Sequence, residues 1–372
     1  MTTAGQPFRY VDLGPMGPFE MTGQMPVLVG QVKDTGRPVL TTSVWGQTHL
    51  NVGWFDDVDS TLDLDRCDEL GVAVIRRPVY GGGTAYYQEG CSVMWAWLLP
   101  GDDRPLDEHL ERFQPVLLDA LKRLGCEAVQ FEGSSDLRWE GRKLGALTTQ
   151  DVMGCVSVGG FLNVAPPDLD TYLEVVRIPD DKFRDKAVKD MREYVCTLEQ
   201  VSGHTVTYED FRRALVDACT DAGLVLEAQP LTDGERDGVG KIAAHIADPG
   251  FVRRVSSARF ETDAPNDCRV GFGNHKGHKL CRAGVAIADD GTIAAAMMAG
   301  DMHVGPPKVI DEVGAALVGA RAGDTAALRA RIAEVFEADE VHQADAHLGV
   351  TTDDLLAAVE RAIASAARPM GV

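Results

Sequence analysis

The sequence predicts an α+β protein in which mixed sheets are flanked by helices and a second, smaller α+β lobe follows. Three observations carry this prediction. Short apolar runs rich in β-branched residues indicate buried strands. Longer segments repeat apolar residues at helical spacing. The two kinds of segment intermix along the chain, and we assign the sequence to the α+β class.

The first part of the chain contains the clearest elements. Residues 105–125 repeat leucine and phenylalanine at helical spacing between Pro105 and Gly125, which predicts a helix. Further helices are predicted at residues 169–178 and 208–222. Strands are predicted at Val39–Trp45, 71–76, 128–131, 137–139, 142–147 and 160–164, with a turn at 134–136.

A change of composition near residues 247–258 predicts a domain boundary. Pro249 and Gly250 break a helix there, and a polar connector follows. We therefore expect a first domain at residues 1–250 and a second at residues 258–372. The second should hold a hairpin of strands at 279–288 and 292–298, followed by helices that begin near Lys308, Asp324 and Thr351.

Charge and composition exclude several classes of function. Acidic residues outnumber basic ones by 57 to 36, and a net charge of -21 disfavours nonspecific binding to nucleic acid or to an anionic membrane. No window is apolar enough to span a membrane, and the first residues do not resemble a secretion signal. The eight cysteines lack the paired spacing of a disulfide-rich domain. We expect a cytoplasmic protein with reduced thiols.

A glycine-rich segment follows the second predicted strand. Arg76 and Arg77 precede three consecutive glycines at residues 81–83. Glycines let a backbone approach a ligand closely, and their N–H groups beside an arginine suit a carboxylate or phosphate. A tight turn between two strands would use the same residues, so the segment alone does not define a site.

A lysine beside small residues is the second candidate feature. Lys143 lies on a predicted hairpin arm and is followed by Leu144, Gly145 and Ala146. A lysine in a cleft can neutralise a phosphate or polarise an acyl carbonyl. A solvated hairpin lysine is the alternative interpretation of this residue when it is taken alone.

Together the two features resemble the lipoate–protein ligase family, within the wider biotin/lipoate ligase superfamily. The family pattern has Arg-Arg, Gly-Gly-Gly, a later Gly, an Asn-Asp-Leu-like turn and Lys-Ile. This chain has Arg76-Arg77, residues 81–83, Gly90, Ser135-Asp136-Leu137 and Lys143-Leu144 in that order. Residues 161–164 and 185–198 also resemble the family, the latter its loop over the adenylate. Residues 291–293 and 299–301 resemble the accessory domain of its long members.

The resemblance implies a biotin/lipoate-ligase-like catalytic domain with a small α+β accessory domain. It also implies a reaction: a small carboxylic acid, lipoate or an octanoate-like acid, attacks ATP to form an acyl-AMP. The acyl group then passes to a lysine amine, usually on a lipoyl-type carrier protein domain. ATP and Mg²⁺ are the implied cofactors. Lys143 would be catalytic, and the implied substrate- and adenylate-binding residues are Arg77, Tyr80, Gly81, Gly82, Gly83, Tyr87, Asp136, Leu144, Gly145, Asn163, Lys186 and Arg192.

The chain departs from the family pattern near the glycines. Tyr80, Tyr87-Gln88 and Cys91 stand where the family has Ser or Thr, His-Asp and Asn, and Gly145-Ala146 replaces Ser-Gly. A tyrosine at the entrance would reshape the acyl pocket, so the identity of the acid stays open.

Three alternative functions remain open from the sequence. One is the related cysteine-dependent octanoyltransferase, which forms a thioester on a cysteine. Its cysteine positions hold no cysteine here, and we expect the nearby Cys155 to be a small buried residue. The others are a ligase that acylates a small-molecule amine and an acyl-binding protein without catalysis.

Four residues of the second lobe could hold zinc by residue type. They are Cys268, His275, His278 and Cys281. Cys281 falls in a predicted strand and residues 274–278 suggest an exposed turn, so we predict no metal site.

Overall fold

A computed structural model describes residues 6–78, 83–177, 193–343 and 349–366. Its largest sheet has eight strands in the order β11-β1-β2-β6-β10-β9-β8-β7. Their bounds are β1 (Phe8–Met16), β2 (Val39–Trp45), β6 (Ser92–Pro100), β7 (Gln130–Glu132), β8 (Asp136–Trp139), β9 (Arg142–Val152), β10 (Cys155–Asn163) and β11 (Leu226–Ala228). β1 pairs in parallel with β2 and β11, and the other strand pairs are antiparallel.

A small three-stranded sheet lies beside the large one in the order β4-β3-β5. Its strands are β3 (His49–Val52), β4 (Ala73–Arg76) and β5 (Ala85–Tyr87). Both Arg76 and Tyr87 thus lie at strand ends in this sheet. Its apolar residues, including Leu50 and Val52, form a core of their own with residues of the adjoining helices.

The helices that accompany these two sheets pack on both faces of the large sheet and beside the small one. They are α1 (Pro18–Thr35), α2 (Val58–Thr61), α3 (Leu64–Glu69), α4 (Leu106–Arg123), α5 (Leu169–Val175), α6 (Leu198–Ser202), α7 (Tyr208–Asp221), α8 (Asp233–Ile246) and α9 (Pro249–Val252). α4 and α7 contribute to the main core with Trp95 and Trp97 of β6. α1 covers part of the opposite face, where Ala96 and Leu98 point.

The second region has its own hydrophobic core. A three-stranded antiparallel sheet, β12 (Arg269–Lys276), β13 (Leu280–Ile287) and β14 (Ile293–Gly300), packs against α11 (Val309–Leu317) and α13 (Thr352–Ala366). The other elements are α10 (Ser257–Asp263), α12 (Thr325–Phe336) and the short pair β15 (Val304–Gly305) and β16 (His342–Gln343). One residue of this core comes from far away in the chain: Phe55 is 1% exposed and packs within it.

Most predicted elements are confirmed. The strand at Val39–Trp45 has the predicted bounds, and the amphipathic helix is α4. The hairpin arm that carries Lys143 is β9, paired with β8. The α+β class and the fold with an additional lobe are confirmed as well.

Two predictions about the second lobe are wrong. Two strands were expected in its sheet, and the structure has a third, β12. Residues 274–276, which were predicted to lie in an exposed turn, belong to this strand. Gly271 and Gly273 weaken the strand signal in the sequence. They are needed because a methyl group at either position would lie under 2.5 Å from the backbone of α13.

The opening of the chain is also more regular than its glycines and prolines suggest. It forms β1 and α1, and α1 contains Pro26 within the helix. The helix is anchored by burial, because Leu28, Val29 and Val32 all point into the core beneath it. Tertiary packing here outweighs a weak local signal.

Every helix in the described ranges is too short or too polar to cross a bilayer.

Candidate active site

A row of residues crosses five strands of the large sheet on one face. Strand register places Ser43, Met94, Phe161, Ala146 and Asp136 directly opposite one another in succession. Residues opposite each other in antiparallel strands point to the same face. This is the face that α1 only partly covers.

A groove of about 270 Å³ lies along this row beside α1. A glycine keeps its floor flat: a methyl group on Gly159 would lie 2.6 Å from the carbonyl oxygen of Trp95. The groove therefore depends on glycine where the neighbouring backbones approach each other. Its walls are mainly apolar and include Met25, Met94, Ala96, Ala146 and Phe161.

Lys143 belongs to β9 and lies near Asp136, the β8 residue at which this row ends. Its Nζ is 2.7 Å from Oδ1 of Asp136, and both side chains are about a quarter exposed. A β-bulge between Leu137 and Arg138 shifts the register of β8 against β9 at this point. The ammonium group thus stands, paired but accessible, beside the carboxylate that terminates the row.

The Asp136 carboxylate also contacts a second cation. Arg138 Nη2 donates to Asp136 Oδ2 at 3.2 Å and to the hydroxyl of Tyr194 at 3.3 Å. Tyr194 belongs to the segment that the family resemblance assigned to the covering loop. The backbone of that segment is attached to β9, because Cys196 N donates to the carbonyl of Lys143 at 2.9 Å. Residues 193–198 therefore stand next to the lysine.

Arg77 directly follows β4 of the small sheet, and Gly83, the last of the three consecutive glycines, lies two residues before β5. Arg77 Nη2 donates to the carbonyl of Gly83 at 2.6 Å, and Gly83 has a φ of 80°, which favours glycine. Tyr87 stacks on His49 with ring centroids 5.2 Å apart, and burial raises its pKa. Tyr80, Gly81, Gly82, Lys186 and Arg192 lie outside the described residues.

The remaining predicted residues have different surroundings. Asn163 is opposite Ser92, and Ser92 Oγ donates to its Oδ1 at 3.3 Å. A methyl group on Gly145 would lie 2.1 Å from the carbonyl oxygen of Phe161, so this glycine allows the close approach of β9 and β10. Leu144 is fully buried in the main core, so only its backbone could face a ligand.

The sequence interpretation missed two carboxylates near the glycine segment. Asp56 Oδ2 accepts a hydrogen bond from Thr84 Oγ1 at 3.1 Å, directly after Gly83. From the second lobe, Asp301 approaches the same segment: a methyl group on Gly83 would lie 3.6 Å from its Oδ1. The Asp56-Asp57 pair just after β3 and the Gly300-Asp301 pair were visible in the sequence, but neither has a pattern that indicates a ligand.

Burial acts on the thiols of the structure in one direction. All eight cysteines are free, and burial raises the pKa of each. Cys155 is confirmed as a small buried residue, since it is 2% exposed in the core under α1. Thiolate formation, which nucleophilic catalysis needs, is therefore disfavoured at every cysteine.

The possible zinc ligands do not form a cluster. His275 Nε2 is 3.0 Å from Asp354 Oδ1, and Cys281 is fully buried opposite it in β13. Among the residues described, no three His, Cys, Asp or Glu side chains are grouped as metal ligands would be. A cavity of about 740 Å³ in the second lobe lies between α11 and α12, and no residue predicted for catalysis lines it.

The fold and the lysine near the groove agree with a catalytic domain of the biotin/lipoate ligase superfamily. Residues 27–220 match the model of the lipoyl protein ligase A/B catalytic domain. The chain belongs to this family, and it is an enzyme of the lipoate–protein ligase type.

The relatives of this chain include octanoyltransferases and lipoate-protein ligases. Octanoyltransferase LipM of Geobacillus kaustophilus is 22% identical over 71% of this chain and 99% of its own length. Lipoate-protein ligase LplJ of Bacillus subtilis is 26% identical over 46% of this chain and 50% of its own length. Sequence similarity alone thus does not separate ligase from transferase.

Solved structures agree on the fold. The bi-partite lipoate protein ligase of Thermoplasma acidophilum has a TM-score of 0.59 at 18% identity and covers 68% of this chain and 98% of its own. Lipoate-protein ligase A bound with ATP has a TM-score of 0.54 at 15% identity, covering 67% and 99%. LipL1 of P. falciparum, in complex with lipoate, has a TM-score of 0.64 at 12% identity and covers 95% and 99%, so the likeness extends into the second lobe.

Proposed function

We propose that this enzyme uses ATP to activate lipoate or an octanoate-like acid as its acyl-AMP and then acylates a lysine amine of a carrier protein domain. The observation that carries the proposal is the ion pair of Lys143 with Asp136, which lies opposite Ala146 of the apolar groove. The apolar lining of the groove suits the alkyl chain of such an acid. The carboxyl end would lie beside the ammonium.

Two steps of charge development would occur next to Lys143. In the first, a carboxylate oxygen of the acid forms a bond to the α-phosphorus of ATP, and the bond to pyrophosphate breaks. In the second, the amine forms a bond to the acyl carbon, AMP departs and the amine loses a proton. Negative charge grows on phosphate or acyl oxygens in both steps, and a fixed ammonium stabilises it.

The residues around Lys143 would have supporting roles. Arg77 and the glycines at 81–83 would line the adenylate pocket, with Tyr80, Tyr87, Asn163 and the backbone of Leu144 and Gly145 around it. Lys186 and Arg192 would act from the covering segment. Asp136 would hold the nucleotide or the Mg²⁺ on its phosphates, which suits an ion that usually takes one or two carboxylates besides phosphate oxygens.

The carrier is the expected acyl acceptor. The archaeal ligase whose fold matches this chain was solved in a study that includes its E2 lipoyl domain. We propose a lipoyl-type domain as partner here, because an acceptor lysine on a protein surface can reach a cleft that is open on one face of the sheet. A small-molecule amine is the alternative acceptor, and an acyl-binding protein without turnover is the alternative to an enzyme that completes the reaction.

A second candidate function is thioester-based octanoyl transfer. The name of the relative that covers 71% of this chain favours it. The buried thiols oppose it, because burial raises the pKa of every cysteine. We therefore place ATP-dependent activation first.

The deciding experiment measures pyrophosphate release from ATP with lipoate, octanoate and a set of other acids, without and with a lipoyl domain. Acid-dependent release followed by acylation of the lipoyl domain is expected. Octanoyl transfer from a carrier-protein thioester in the absence of ATP would reject the proposal in favour of the transferase. Pyrophosphate release that continues only when a small amine is added would identify a small molecule, not a protein, as the acyl acceptor.

We also propose that residues 1–250 form the catalytic domain and residues 258–372 the accessory domain. The separate hydrophobic core of the second region supports this division. Phe55 contributes to that core from the first domain, and Trp54 packs against it.

A further inference from the structure

The first arginine of the Arg-Arg pair has a different environment from the second. Arg76 is fully buried at the end of β4, and every hydrogen bond of its guanidinium group within the described residues goes to a backbone carbonyl group. Nε donates to Val252 at 3.0 Å, Nη2 to Val252 at 2.8 Å and Val255 at 3.1 Å, and Nη1 to Gly53 at 2.7 Å, Asp56 at 2.9 Å and Trp54 at 3.2 Å.

These bonds engage every part of the guanidinium group. An arginine side chain carries five N–H groups, and Nε, Nη1 and Nη2 of Arg76 have enough carbonyl partners to satisfy all of them. Burial lowers its pKa to about 10, so it remains a cation at neutral pH. Arg76 therefore has no donor left for a substrate and no exposed surface to meet one.

The carbonyl groups belong to two segments that are distant in sequence. Residues 53–56 follow β3, and residues 252–255 connect α9 to the second lobe. The first segment continues to the glycines: Asp56 Oδ2 accepts from Gly53 N at 3.1 Å and from Thr84 Oγ1 at 3.1 Å. Thr84 follows Gly83, which accepts from Arg77.

The second lobe holds the same segment from the other side. Gly300 N donates to the carbonyl of Phe55 at 2.8 Å, and Trp54 Nε1 donates to the carbonyl of Pro307 at 3.1 Å. Arg254 lies over the Trp54 ring at 4.2 Å. Residues 53–56 are thus fixed between Arg76 and the second lobe.

We propose that Arg76 is a positioning residue for the acid site. It fixes residues 53–56, and through Asp56 and Thr84 it fixes Gly83 and the arginine bonded to it, Arg77. The inference rests on the proposed function only for its kinetic part: a displaced Gly83 would weaken capture of the acid more than it slows the chemical step beside Lys143. Displacements of about 1 Å at such distances can cost up to about a hundredfold.

The first test uses Arg76→Lys, which keeps the charge and loses the planar array of donors. Amide hydrogen exchange is measured on the full-length protein for peptides that contain residues 53–56, 83–84 and 252–255, with α4 as an internal reference. We expect faster exchange in all three segments and no change in α4. This readout is independent of any activity, so it tests the positioning role even if the proposed reaction is wrong.

The kinetic test compares Arg76→Lys with Arg9→Lys as a matched control. Arg9 is also buried, 5% exposed, and it bonds to Glu235 and to the carbonyl of Pro230 far from the lysine. In acid-dependent pyrophosphate release, Arg76→Lys should raise KM for the acid about tenfold or more, with kcat changed by less than about threefold. Arg9→Lys should leave both constants at the wild-type values.

Thr84→Val provides a variant that is not expected to impair folding. It removes one hydroxyl and so breaks the contact between Asp56 and the glycine segment. We expect the same rise in KM with unchanged exchange at residues 252–255. Unchanged exchange at residues 83–84 in Arg76→Lys, or equal losses in both arginine variants, would overturn the proposal, because Arg76 would then contribute to stability alone.

Discussion

Arg76 and Lys143 are both cations of the family motif, and their surroundings are opposite. Arg76 is 0% exposed and bonds to five backbone carbonyl groups. Lys143 is 25% exposed, and among the described residues its ammonium pairs with the carboxylate of Asp136, opposite Ala146 of the groove. A cation whose donors are all used by the backbone can only shape a site, whereas one that keeps accessible donors can act on a ligand.

Replacing Lys143 should give the largest effect on activity. It tests whether this accessible cation acts directly on the substrate. Lys143→Met is expected to lower the rate of acyl-adenylate formation by about 100-fold to 1000-fold, because stabilisation of the developing charge is lost. Stability should change by no more than about 1 kcal/mol, since the ion pair is partly exposed. Single-turnover measurements and urea denaturation check the two expectations.

Lys122→Met is the control for this variant. Lys122 is exposed in the last turn of α4, and its replacement should change neither quantity. If Lys143→Met lost so much stability that unfolding alone explained its lower rate, the catalytic role of Lys143 would be contradicted.

A buried histidine provides a second test of how a buried polar side chain contributes to stability rather than to catalysis. His49 is fully buried, its Nδ1 donates to the carbonyl of Gln47 at 3.1 Å, and burial lowers its pKa to about 4. The unfolded chain binds a proton near pH 6.5 and the folded chain does not until about pH 4, so stability falls as the pH falls between these values. From pH 7 to pH 5 the contribution lost is about 2 kcal/mol.

Urea denaturation at both pH values, with wild type and His49→Gln, measures this contribution. The difference between the two proteins should shrink at pH 5, because glutamine has no proton to bind. An identical pH dependence in both proteins would show that His49 titrates normally in the folded state.

The groove should respond to a change of volume. Ala146 is 7% exposed and lies opposite Phe161, so Ala146→Leu would fill part of the space. We expect KM for an eight-carbon acid to rise about tenfold, relative to KM for a four-carbon acid measured on the same variant. Equal changes for both acids would place the acyl chain elsewhere.

The smallest effect is expected at Cys155. It lies at the start of β10, and Asn163 at the other end is about 26 Å away at about 3.3 Å per residue. Cys155→Ala should retain activity within about twofold, with a small loss of stability from the missing sulfur atom. Complete loss of acyl transfer in this variant would instead indicate a thioester mechanism.

The sequence predicted the parts of the fold that have a strong local pattern. The leucine spacing of α4 and the β-branched run of β2 are examples. β12 escaped prediction because Gly271 and Gly273 serve the approach of α13, which no local pattern reveals. The predicted site residues that the structure describes lie in or next to two sheets, but the sequence could not show that Leu144 points into the core or that carbonyl groups occupy all the donors of Arg76. Both depend on contacts between segments that are distant in sequence.

The position of Phe55 has a consequence for how the chain acquires its structure during synthesis. Its side chain belongs to a hydrophobic core whose other buried members begin at Cys281. During translation, this phenylalanine leaves the ribosome long before those partners, and no loop closure over such a separation can occur until they are made. The apolar ring therefore stays without its packing partners for that period.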